Sequence, residues 1–559
     1  MRFNSHLSLS AISIAVATLV AGCGGSGSGS DDGSTPEPPP VAKVACTWDT
    51  DVELAFEEKR LETPLPFTGE DVATADTTPF ATRIVKATGF DQFAPEFAET
   101  LCADNGETTV ASYDAALDTV KAEGAKLWRA AVDRVQGRRA QQSADDTAPL
   151  SDDRMLYWAR VQMTKVLRQW APDFPLTDEQ KAELQWQFER ASRGQYDIDF
   201  PTGNNASGEP YRRMLVSGFD VFTLGIPGTP NRGLRNGNPS GATALEMDGR
   251  EFTLADGSTL HVQSYVLPVS YDPFHLGMQE DTIGPWFEPG PKQVNASITV
   301  SQGGSNQFWI EEYNGRFHGI SAGNDGMIYC PSGANRLPAF RYNIGDQTIT
   351  GTQAVLPATV SLPASGCDIY PQQRWLGYDS LTLAWSKDWP PQFSRATLPV
   401  EALVTGNTQA GVVRPIGATS EGTEGFDVTW HTNYTYFPDC NDTATVSSPS
   451  TGVMNAMPET PPVDPLPSAC AYSGGGGNYL SNESAYRNTL MRDIFNLGPA
   501  FPAGHIHVPV MNNYYTGTGA IGGTRNDNAI SDERYEQYRT AIVQQTKNLL
   551  VVVGESLVP

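Results

Sequence analysis

The chain has 559 residues, of which 39% are hydrophobic, and it carries a formal net charge of -26. This length allows two or more domains, and the composition is that of a globular chain rich in loops. Because a nucleic acid would be repelled by this charge and no cluster of lysine and arginine offsets it, we expect no nucleic-acid partner.

The first residues have the pattern of an export signal. Arg2 supplies a positive start, residues 9–20 form a short apolar run, and Val20-Ala21-Gly22-Cys23 has the form of a lipobox. We therefore predict a lipoprotein signal peptide at 1–22 and a lipid on Cys23 that tethers the protein to a membrane. An ordinary cleaved secretory signal is the alternative. No later run approaches the ~20 apolar residues of a membrane-spanning helix.

Residues 23–45 are rich in Gly, Ser and Pro and predict a flexible tether. Together with the lipobox they predict a lipid-anchored protein of a bacterial cell envelope. The outer membrane, facing the periplasm or the exterior, is preferred because Gly24 after the lipidated cysteine is not an evident inner-membrane retention signal. The sequence indicates no oligomeric state.

Six of the seven cysteines remain besides Cys23, and outside the cytoplasm they are expected to form disulfides. Many pairings are possible. The sequential set would fasten each segment to itself: Cys46 with Cys102, Cys330 with Cys367, and Cys440 with Cys470.

Residues 46–205 are expected to form a mainly helical domain. Apolar residues recur at helical spacing after Ser151-Asp152-Asp153, which would cap a helix, and Thr177 with Gln180 forms a capping box before another helix, which Gly194 ends. This region contains no catalytic constellation. A scaffold, a lid and a partner-binding module all remain possible.

From residue 206 to 559 short apolar strands alternate with helices, which is typical of an α/β layer fold. We predict strands near 213–217, 261–270, 296–301 and 505–510, helices at 482–495 and 532–550, and insertions around 223–237, 313–335 and 412–472.

The most informative segment runs from Ser473 to Pro509. It contains a glycine-rich loop, Tyr479-Leu480-Ser481-Asn482, a helix, and then a strand that carries His505 and His507. A nucleophile at the start of a helix faces the positive end of the helix dipole, and a histidine on the next strand can serve as its base. Capping of the helix is the alternative role of Ser481.

Several blocks of this half of the chain, across roughly residues 211–555, resemble pyroglutamyl peptidase I, the pyrrolidone-carboxylate peptidase family. Besides the segment around Ser481 and His507, the matching blocks are 214–222 (MLVSGFDVF), 238–240 (NPS), 266–271 (VLPVSY), 298–304 (ITVSQGG) and 397–400 (TLPV). The resemblance implies a three-layer α/β/α domain with large insertions, here preceded by the helical domain.

The resemblance also implies roles for three residues. Ser481 stands where the family has its catalytic cysteine, His507 directly precedes the Val-Pro pair as the family's catalytic histidine does, and Glu311 follows the Gly303-Gly304 loop as the catalytic glutamate. A structural histidine and a solvated acid are the alternatives for His507 and Glu311.

Three further positions follow from the same resemblance. Phe219 and Phe222 correspond to aromatics that line the pocket for the pyrrolidone ring, and Arg336 to an arginine near the oxyanion. The alternatives are two phenylalanines of the core and a surface arginine. The chain departs from the family pattern at Val221, where the family has proline, and at Glu312, where it usually has arginine.

The resulting hypothesis is a hydrolase, an omega peptidase that removes N-terminal pyroglutamate from peptides or cleaves a related small amide. The alternatives are a catalytically silent binding lipoprotein on the same fold, and an amidase or esterase of other specificity. We expect no cofactor. His505 and His507 share one face of a strand and could bind a metal, but no further ligands are evident, so we expect no metal site.

Overall fold

The structure is a computed structural model. It describes residues 43–65, 77–222, 224, 233–304, 306–317, 321–326, 391–413, 425–439, 445–449, 462–511, 529–531 and 533–557, and the backbone of six short strands between 340 and 385. Residues Lys43–Pro559 belong to one compact unit. The predicted signal peptide, the tether and Cys23 lie outside the described residues, as does Arg336.

The first part of the described chain is mainly helical, as the apolar spacing predicts. Its elements are β1 (Val44–Trp48), α1 (Phe56–Lys59), a 3-10 turn (Arg60–Glu62), α2 (Phe80–Ala87), α3 (Phe93–Leu101), β2 (Glu107–Thr108), α4 (Tyr113–Val135), α5 (Arg154–Gln169), β3 (Trp170–Pro172) and α6 (Asp178–Ala191).

The helix-capping residues predicted in this part are largely observed. Thr177 Oγ1 accepts a hydrogen bond from Gln180 N (3.2 Å), and Gln180 Oε1 accepts one from Thr177 N (3.0 Å), so the capping box of α6 is confirmed. At the start of α5, Asp152 of the predicted cap accepts a hydrogen bond from Arg154 N (3.0 Å), the first residue of the helix. Asp153 occupies the N-cap position, but its carboxylate accepts from Asn238 N (2.7 Å) instead of capping its own helix.

The predicted bridge between Cys46 and Cys102 is present, with a Cα–Cα distance of 5.7 Å. It joins β1 to the residue that follows α3. The other two predicted bridges each involve at least one cysteine whose side chain lies outside the described residues. Cys470 is itself part of a disulfide.

The second part contains the remaining strands and helices. They are β4 (Tyr211–Phe219), α7 (Pro239–Met247), β5 (Glu251–Thr253), β6 (Thr259–Leu267), α8 (Asp272–His275), α9 (Met278–Phe287), β7 (Ala296–Gln302), β8 (Phe308–Glu311), β9 (Tyr313–Gly315), β10 (Phe340–Ile344), β11 (Gln347–Gly351), β12 (Val360–Leu362), β13 (Cys367–Ile369), β14 (Tyr378–Asp379), β15 (Ala384–Trp385), β16 (Phe393–Arg395), α10 (Val400–Thr405), β17 (Val428–His431), β18 (Thr435–Phe437), β19 (Cys470–Ser473), α11 (Leu480–Ile494), β20 (Ala503–Val508) and α12 (Glu533–Ser556).

A seven-stranded sheet in the order β17-β8-β20-β7-β4-β6-β5 forms the centre of this part. Four of its strand pairs are parallel, and β8 with β20 and β5 with β6 are antiparallel. Helices α7, α10 and α12 contribute to the core on one face of the sheet, and α9 and α11 to the core on the other. The predicted α/β fold class, a three-layer domain preceded by a helical region, is thus confirmed.

The two faces of the sheet differ in chemistry because side chains alternate along each strand. On β7, Ile298 and Val300 point into the core beneath α7 and α12, whereas the intervening residues face α11. On β20, Ile506 lies in the same apolar core. The face beneath α11 therefore receives the polar residues of β7 and β20, and the candidate site lies there.

The strands and helices near this face match the predicted ones closely. The predicted strand at 505–510 is Ala503–Val508, and the predicted helix at 482–495 is Leu480–Ile494. A Cβ atom at Gly218 would overlap Ser240 O, so only glycine allows α7 to approach β4 this closely. No helix in the described ranges is long and apolar enough to cross a membrane.

Candidate active site

Ser481 is the second residue of α11, directly after the helix begins at Leu480. The next residue fixes this helix start: Asn482 Nδ2 donates to Gly315 O (2.7 Å) and Phe317 O (2.9 Å), and Asn482 Oδ1 accepts from Gly315 N (2.8 Å). Ser481 is therefore held at the positive end of a 15-residue helix, as the sequence predicts.

The glycine-rich loop before α11 packs directly onto Glu311. A Cβ atom at Gly475 would overlap Glu311 Oε2, and one at Gly476 would lie 2.8 Å from Asn482 N. Gly475 N also donates to Tyr313 O (2.7 Å). Gly475 is required because its backbone covers the carboxylate, and Gly476 because it lies against the start of α11.

Glu311 is fully buried at the end of β8 and bridges two histidines. Its Oε1 lies 2.5 Å from His507 Nδ1, and its Oε2 lies 2.5 Å from His431 Nδ1. Burial alone would raise the pKa of Glu311, but the hydrogen bonds and charges of the two rings outweigh it and hold that pKa well below its usual range. Glu311 is a buried carboxylate with two partners, so the alternative of a solvated acid is wrong.

His431 lies on β17, directly opposite Glu311 in the register of the two parallel strands. Its ring stacks on Trp309 with a centroid distance of 4.6 Å. Burial lowers the pKa of His431, but the neighbouring Glu311 carboxylate raises it by more, so the net shift is upward.

His505 is enclosed between two hydroxyl groups of β7. Its Nδ1 lies 2.7 Å from Thr299 Oγ1, and its Nε2 lies 2.8 Å from Ser301 Oγ. Burial, assisted by the positive charge that His507 can carry, holds the pKa of His505 well below its ordinary value. This ring is therefore neutral at physiological pH.

The hydroxyl of Ser481 is hydrogen-bonded to one of these two hydroxyl groups, that of Ser301. Ser481 Oγ lies 2.9 Å from Ser301 Oγ. Ser301 is opposite His507 in the register of β7 and β20, with both side chains on the face beneath α11. The structure thus brings Glu311 and His507 into contact and joins Ser481 to His505 through Ser301. Ser481 and His507, both of which the structure describes, share no direct hydrogen bond.

The predicted pocket aromatics lie beside Ser481. Phe219 is buried, and Phe222 is half-buried with its ring centroid 6.0 Å from that of Tyr479. Together with Ser301 and Ser481 they line a cleft with a free volume of about 20 Å³. This is about the room that one water molecule needs, so a ring-sized ligand requires Phe222 or Tyr479 to move.

Comparison with known protein families gives two matches along the chain. The family model described as "PA0049 N-terminal domain" matches residues 37–189, and the model described as "PA0049, C-terminal domain" matches residues 213–512. The chain belongs to the PA0049 family. The uncharacterized protein PA0049 of Pseudomonas aeruginosa is 61% identical over 516 residues, which cover 92% of this chain and 91% of that protein.

A solved structure of pyrrolidone carboxyl peptidase from the hyperthermophile Pyrococcus furiosus also matches this member of the PA0049 family. It is 15% identical and covers 60% of this chain and 98% of its own, with a TM-score of 0.26. A likeness at this level carries no argument about function.

Three residues of this PA0049-family site were not predicted from the sequence. His431 lies in a segment expected to be an insertion, and no local motif marks it. Ser301 lies within the matching block 298–304 but has no predicted role. His505 was considered only as a metal ligand. In the ranges that the structure describes, no group of three or more His, Cys, Asp or Glu side chains is arranged to hold a metal ion.

Proposed function

We propose that this protein is a hydrolase that cleaves an N-terminal pyroglutamyl residue or a related amide, with Ser481 as nucleophile. The observation that carries the proposal is the buried Glu311–His507 pair beside a serine at the start of α11. The resemblance of the sequence to pyroglutamyl peptidase I supports the choice of reaction.

The Glu311 carboxylate gives His507 its role. Because Glu311 accepts the hydrogen on His507 Nδ1, the neutral ring keeps its lone pair on Nε2. The buried negative charge then stabilises the imidazolium that forms when Nε2 takes a proton. Serine depends on such a base because, unlike a thiol, it has no appreciable ionised fraction at neutral pH.

In the first half of the proposed reaction, Ser481 Oγ attacks the carbonyl carbon of the scissile amide and its proton passes to His507 Nε2. The carbonyl oxygen becomes an oxyanion, for which the N–H groups at the start of α11 are available donors because they have no acceptor within the helix. The C–N bond then breaks, and His507 returns the proton to the leaving amine. An ester between Ser481 and the acyl group remains.

In the second half, water attacks the ester carbonyl and gives a proton to His507. The bond to Ser481 Oγ breaks, His507 returns the proton to that oxygen, and the free carboxylic acid leaves. Atoms and protons balance without any cofactor.

The lining of the cleft supports a flat and neutral acyl group. Phe219, Phe222 and Tyr479 offer aromatic surfaces next to Ser481, which suit a five-membered lactam ring by stacking and apolar enclosure. Because the cleft is narrow, substrate binding is expected to shift the half-buried Phe222 and Tyr479.

Hydrolysis of a fluorogenic pyroglutamyl amide by the full chain tests this proposal. We expect Ser481→Ala and His507→Ala each to lower kcat by about a thousandfold or more. Ser484→Ala is the matched control, because Ser484 lies one turn later in α11 and its hydroxyl bonds only to Ser481 O (3.0 Å). Ser481→Cys tests whether the site accepts a thiol.

Two results would contradict the proposal. Activity that survives in Ser481→Ala removes Ser481 from the mechanism. An inert wild type with an active Ser481→Cys variant indicates a silent binding protein on an intact scaffold. The lack of a direct hydrogen bond between Ser481 and His507 favours this second candidate, which binding of pyroglutamyl peptides without turnover would support.

We also propose that the protein acts outside the cytoplasm, anchored through a lipid on Cys23. The Cys46–Cys102 disulfide supports an oxidising compartment.

A further inference from the structure

We propose that Thr299, His505 and Ser301 form a chain of hydrogen-bond donors that positions Ser481 for attack. In this chain Ser301 gives its hydrogen to Ser481 Oγ and steadies that oxygen as it loses its own proton. The inference rests on the proposed function, in which Ser481 is the nucleophile, and it assigns positioning roles to three residues that the Glu311–His507 pair does not include.

The strands place these groups in contact. Thr299 and Ser301 lie two residues apart on β7, and they are opposite His505 and His507 in the register with β20. Hydrogen bonds then join Thr299 Oγ1 to His505 Nδ1 (2.7 Å), His505 Nε2 to Ser301 Oγ (2.8 Å) and Ser301 Oγ to Ser481 Oγ (2.9 Å). All three contacts lie at ordinary hydrogen-bond distances.

The direction of the chain follows from the fact that each hydroxyl has one hydrogen. Thr299 Oγ1 lies 2.7 Å from His505 Nδ1 but 3.3 Å from Gly504 O, so its hydrogen is better placed on the ring nitrogen. Nδ1 of His505 then accepts, and the hydrogen of the neutral ring is on Nε2. Nε2–H donates to Ser301 Oγ, which leaves the Ser301 hydrogen for Ser481.

This direction has a consequence for the nucleophile. Ser481 Oγ accepts from Ser301, so the hydrogen of Ser481 remains available for His507 Nε2. If the hydrogen bonds ran the other way, Ser481 would donate to Ser301 and Ser301 would donate to His505 Nε2. His505 would then act as the base, with the Ser301 hydroxyl passing the proton. A buried ring without a direct carboxylate partner is poorly suited to taking up a charge, so this direction is disfavoured.

The donor chain also compensates for serine in the place of a cysteine. A serine oxygen that gives up its proton carries a more concentrated and more basic charge than a thiolate, and a donor already directed at it stabilises that charge without reorganisation. Removal of one such donor commonly costs on the order of 10² or more in rate, and we expect roughly 10- to 100-fold here because the developing charge is shared with the substrate.

The test compares Ser301→Ala with Ser301→Thr, which keeps the hydroxyl. Ser297→Ala is the matched control: Ser297 lies on the same face of β7, and its hydroxyl also bonds to a residue of α11, at 2.6 Å from Asn488 Oδ1. Two rates are measured: kcat with the pyroglutamyl amide, and covalent labelling of Ser481 by a fluorophosphonate, followed by mass spectrometry of the Ser481 peptide.

We expect Ser301→Ala to lower kcat and the labelling rate by roughly 10- to 100-fold with little change in KM. Ser301→Thr should recover most of this loss, and Ser297→Ala should remain close to wild type. Labelling of Ser301→Ala at the wild-type rate would overturn the proposal, and so would an equal loss in Ser297→Ala.

NMR of the full chain with ring-labelled histidine gives an independent readout. The seven histidines yield few signals, and a His505→Gln variant assigns the one of interest. We expect His505 to be protonated on Nε2. Protonation on Nδ1 in an active enzyme would overturn the donor chain while leaving the proposed function standing. A wild type that neither hydrolyses the amide nor accepts the fluorophosphonate removes the proposed function, and with it the role of the chain, whichever tautomer is present.

Discussion

At the scale of single residues, the feature that defines this site is one buried carboxylate shared by two histidines. Glu311 contacts His507 on one oxygen and His431 on the other. Trp309 of β8 contacts both rings, with centroid distances of 4.6 Å to His431 and 6.1 Å to His507. His431 itself lies on the edge strand β17. His431 therefore affects the site through Glu311, and a positive charge on the His431 ring stabilises the Glu311 carboxylate.

The pH dependence of stability tests this arrangement. Because the pKa of folded His431 is raised above its ordinary value of 6.5, its ion pair with Glu311 stabilises the protein fully below about pH 6.5, and this contribution is lost as pH rises through the raised pKa. Compared with His431→Gln, the wild type should have its largest advantage in Tm near pH 6, and this advantage should shrink in alkaline buffer. Thermal unfolding from pH 5.5 to 9.5 measures it. A Tm difference that does not vary with pH would show that the pair is not charged.

The sequence allowed prediction of the residues that belong to contiguous motifs. Ser481 and His507 each lie in a block of neighbours in register, and Glu311 follows one. His431 and His505 could not be assigned in this way, because their contacts join strands that are distant in the chain. Ser301 lies within a matching block, but its hydrogen bond to Ser481 depends on the position of α11 over the sheet.

At the scale of elements, the position of α11 matters most, because this helix carries Ser481. Its first turn is fixed by Asn482, and its middle is fixed by a buried charge cluster in which Arg487 lies between Glu280 and Glu483. Burial raises the pKa of both carboxyl groups, to about 8 for Glu483, so the cluster depends on the guanidinium between them.

Removal of that guanidinium should loosen the helix. Arg487→Met leaves two buried carboxyl groups without their countercharge, and we expect the free energy of unfolding to fall by about 3–5 kcal/mol. Arg250→Met is the control, since its ion pair with Glu246 is partly exposed and should contribute at most about 1 kcal/mol. Urea unfolding at pH 9, above the raised pKa of Glu483, measures both. Adding Glu280→Gln and Glu483→Gln to Arg487→Met should restore part of the loss, and equal stability of the two single variants would contradict this account.

The elements themselves were predictable where a local pattern extends over several residues. Strands β4, β7 and β20 were predicted as short apolar strands, and α12, expected at 532–550, is observed at Glu533–Ser556. The edge strand β17 was not predicted, although it carries His431. Its four residues are too short for a periodic signal, and its pairing with β8 links positions more than a hundred residues apart.

At the scale of the whole molecule, the apolar core of the helical part also includes residues of the sheet part. Buried residues of α2, α4 and α5 pack in the same cluster as Val221, Leu224 and Val266. The loop after β4 is also held by charge: both oxygens of Asp220 are paired, one with Arg160 of α5 and the other with Arg193 (2.8 Å). The helical part thereby supports the loop that carries Phe222, which favours a scaffold among the roles left open by the sequence.

Breaking this connection should therefore affect the protein as a unit. Asp220→Ala removes one buried carboxylate and leaves Arg160 and Arg193 without that partner, so we expect a loss of about 3–5 kcal/mol in the free energy of unfolding. Because the core is shared, calorimetry should show a single transition shifted to lower temperature, with tryptophan fluorescence and far-ultraviolet circular dichroism changing together. Arg129→Ala, which breaks an ion pair with Asp197 in which the arginine is well exposed, should leave Tm nearly unchanged. Two separate unfolding transitions in Asp220→Ala would instead show that the helical part and the sheet unfold independently. The helical part would then not be needed to hold the loop that carries Phe222.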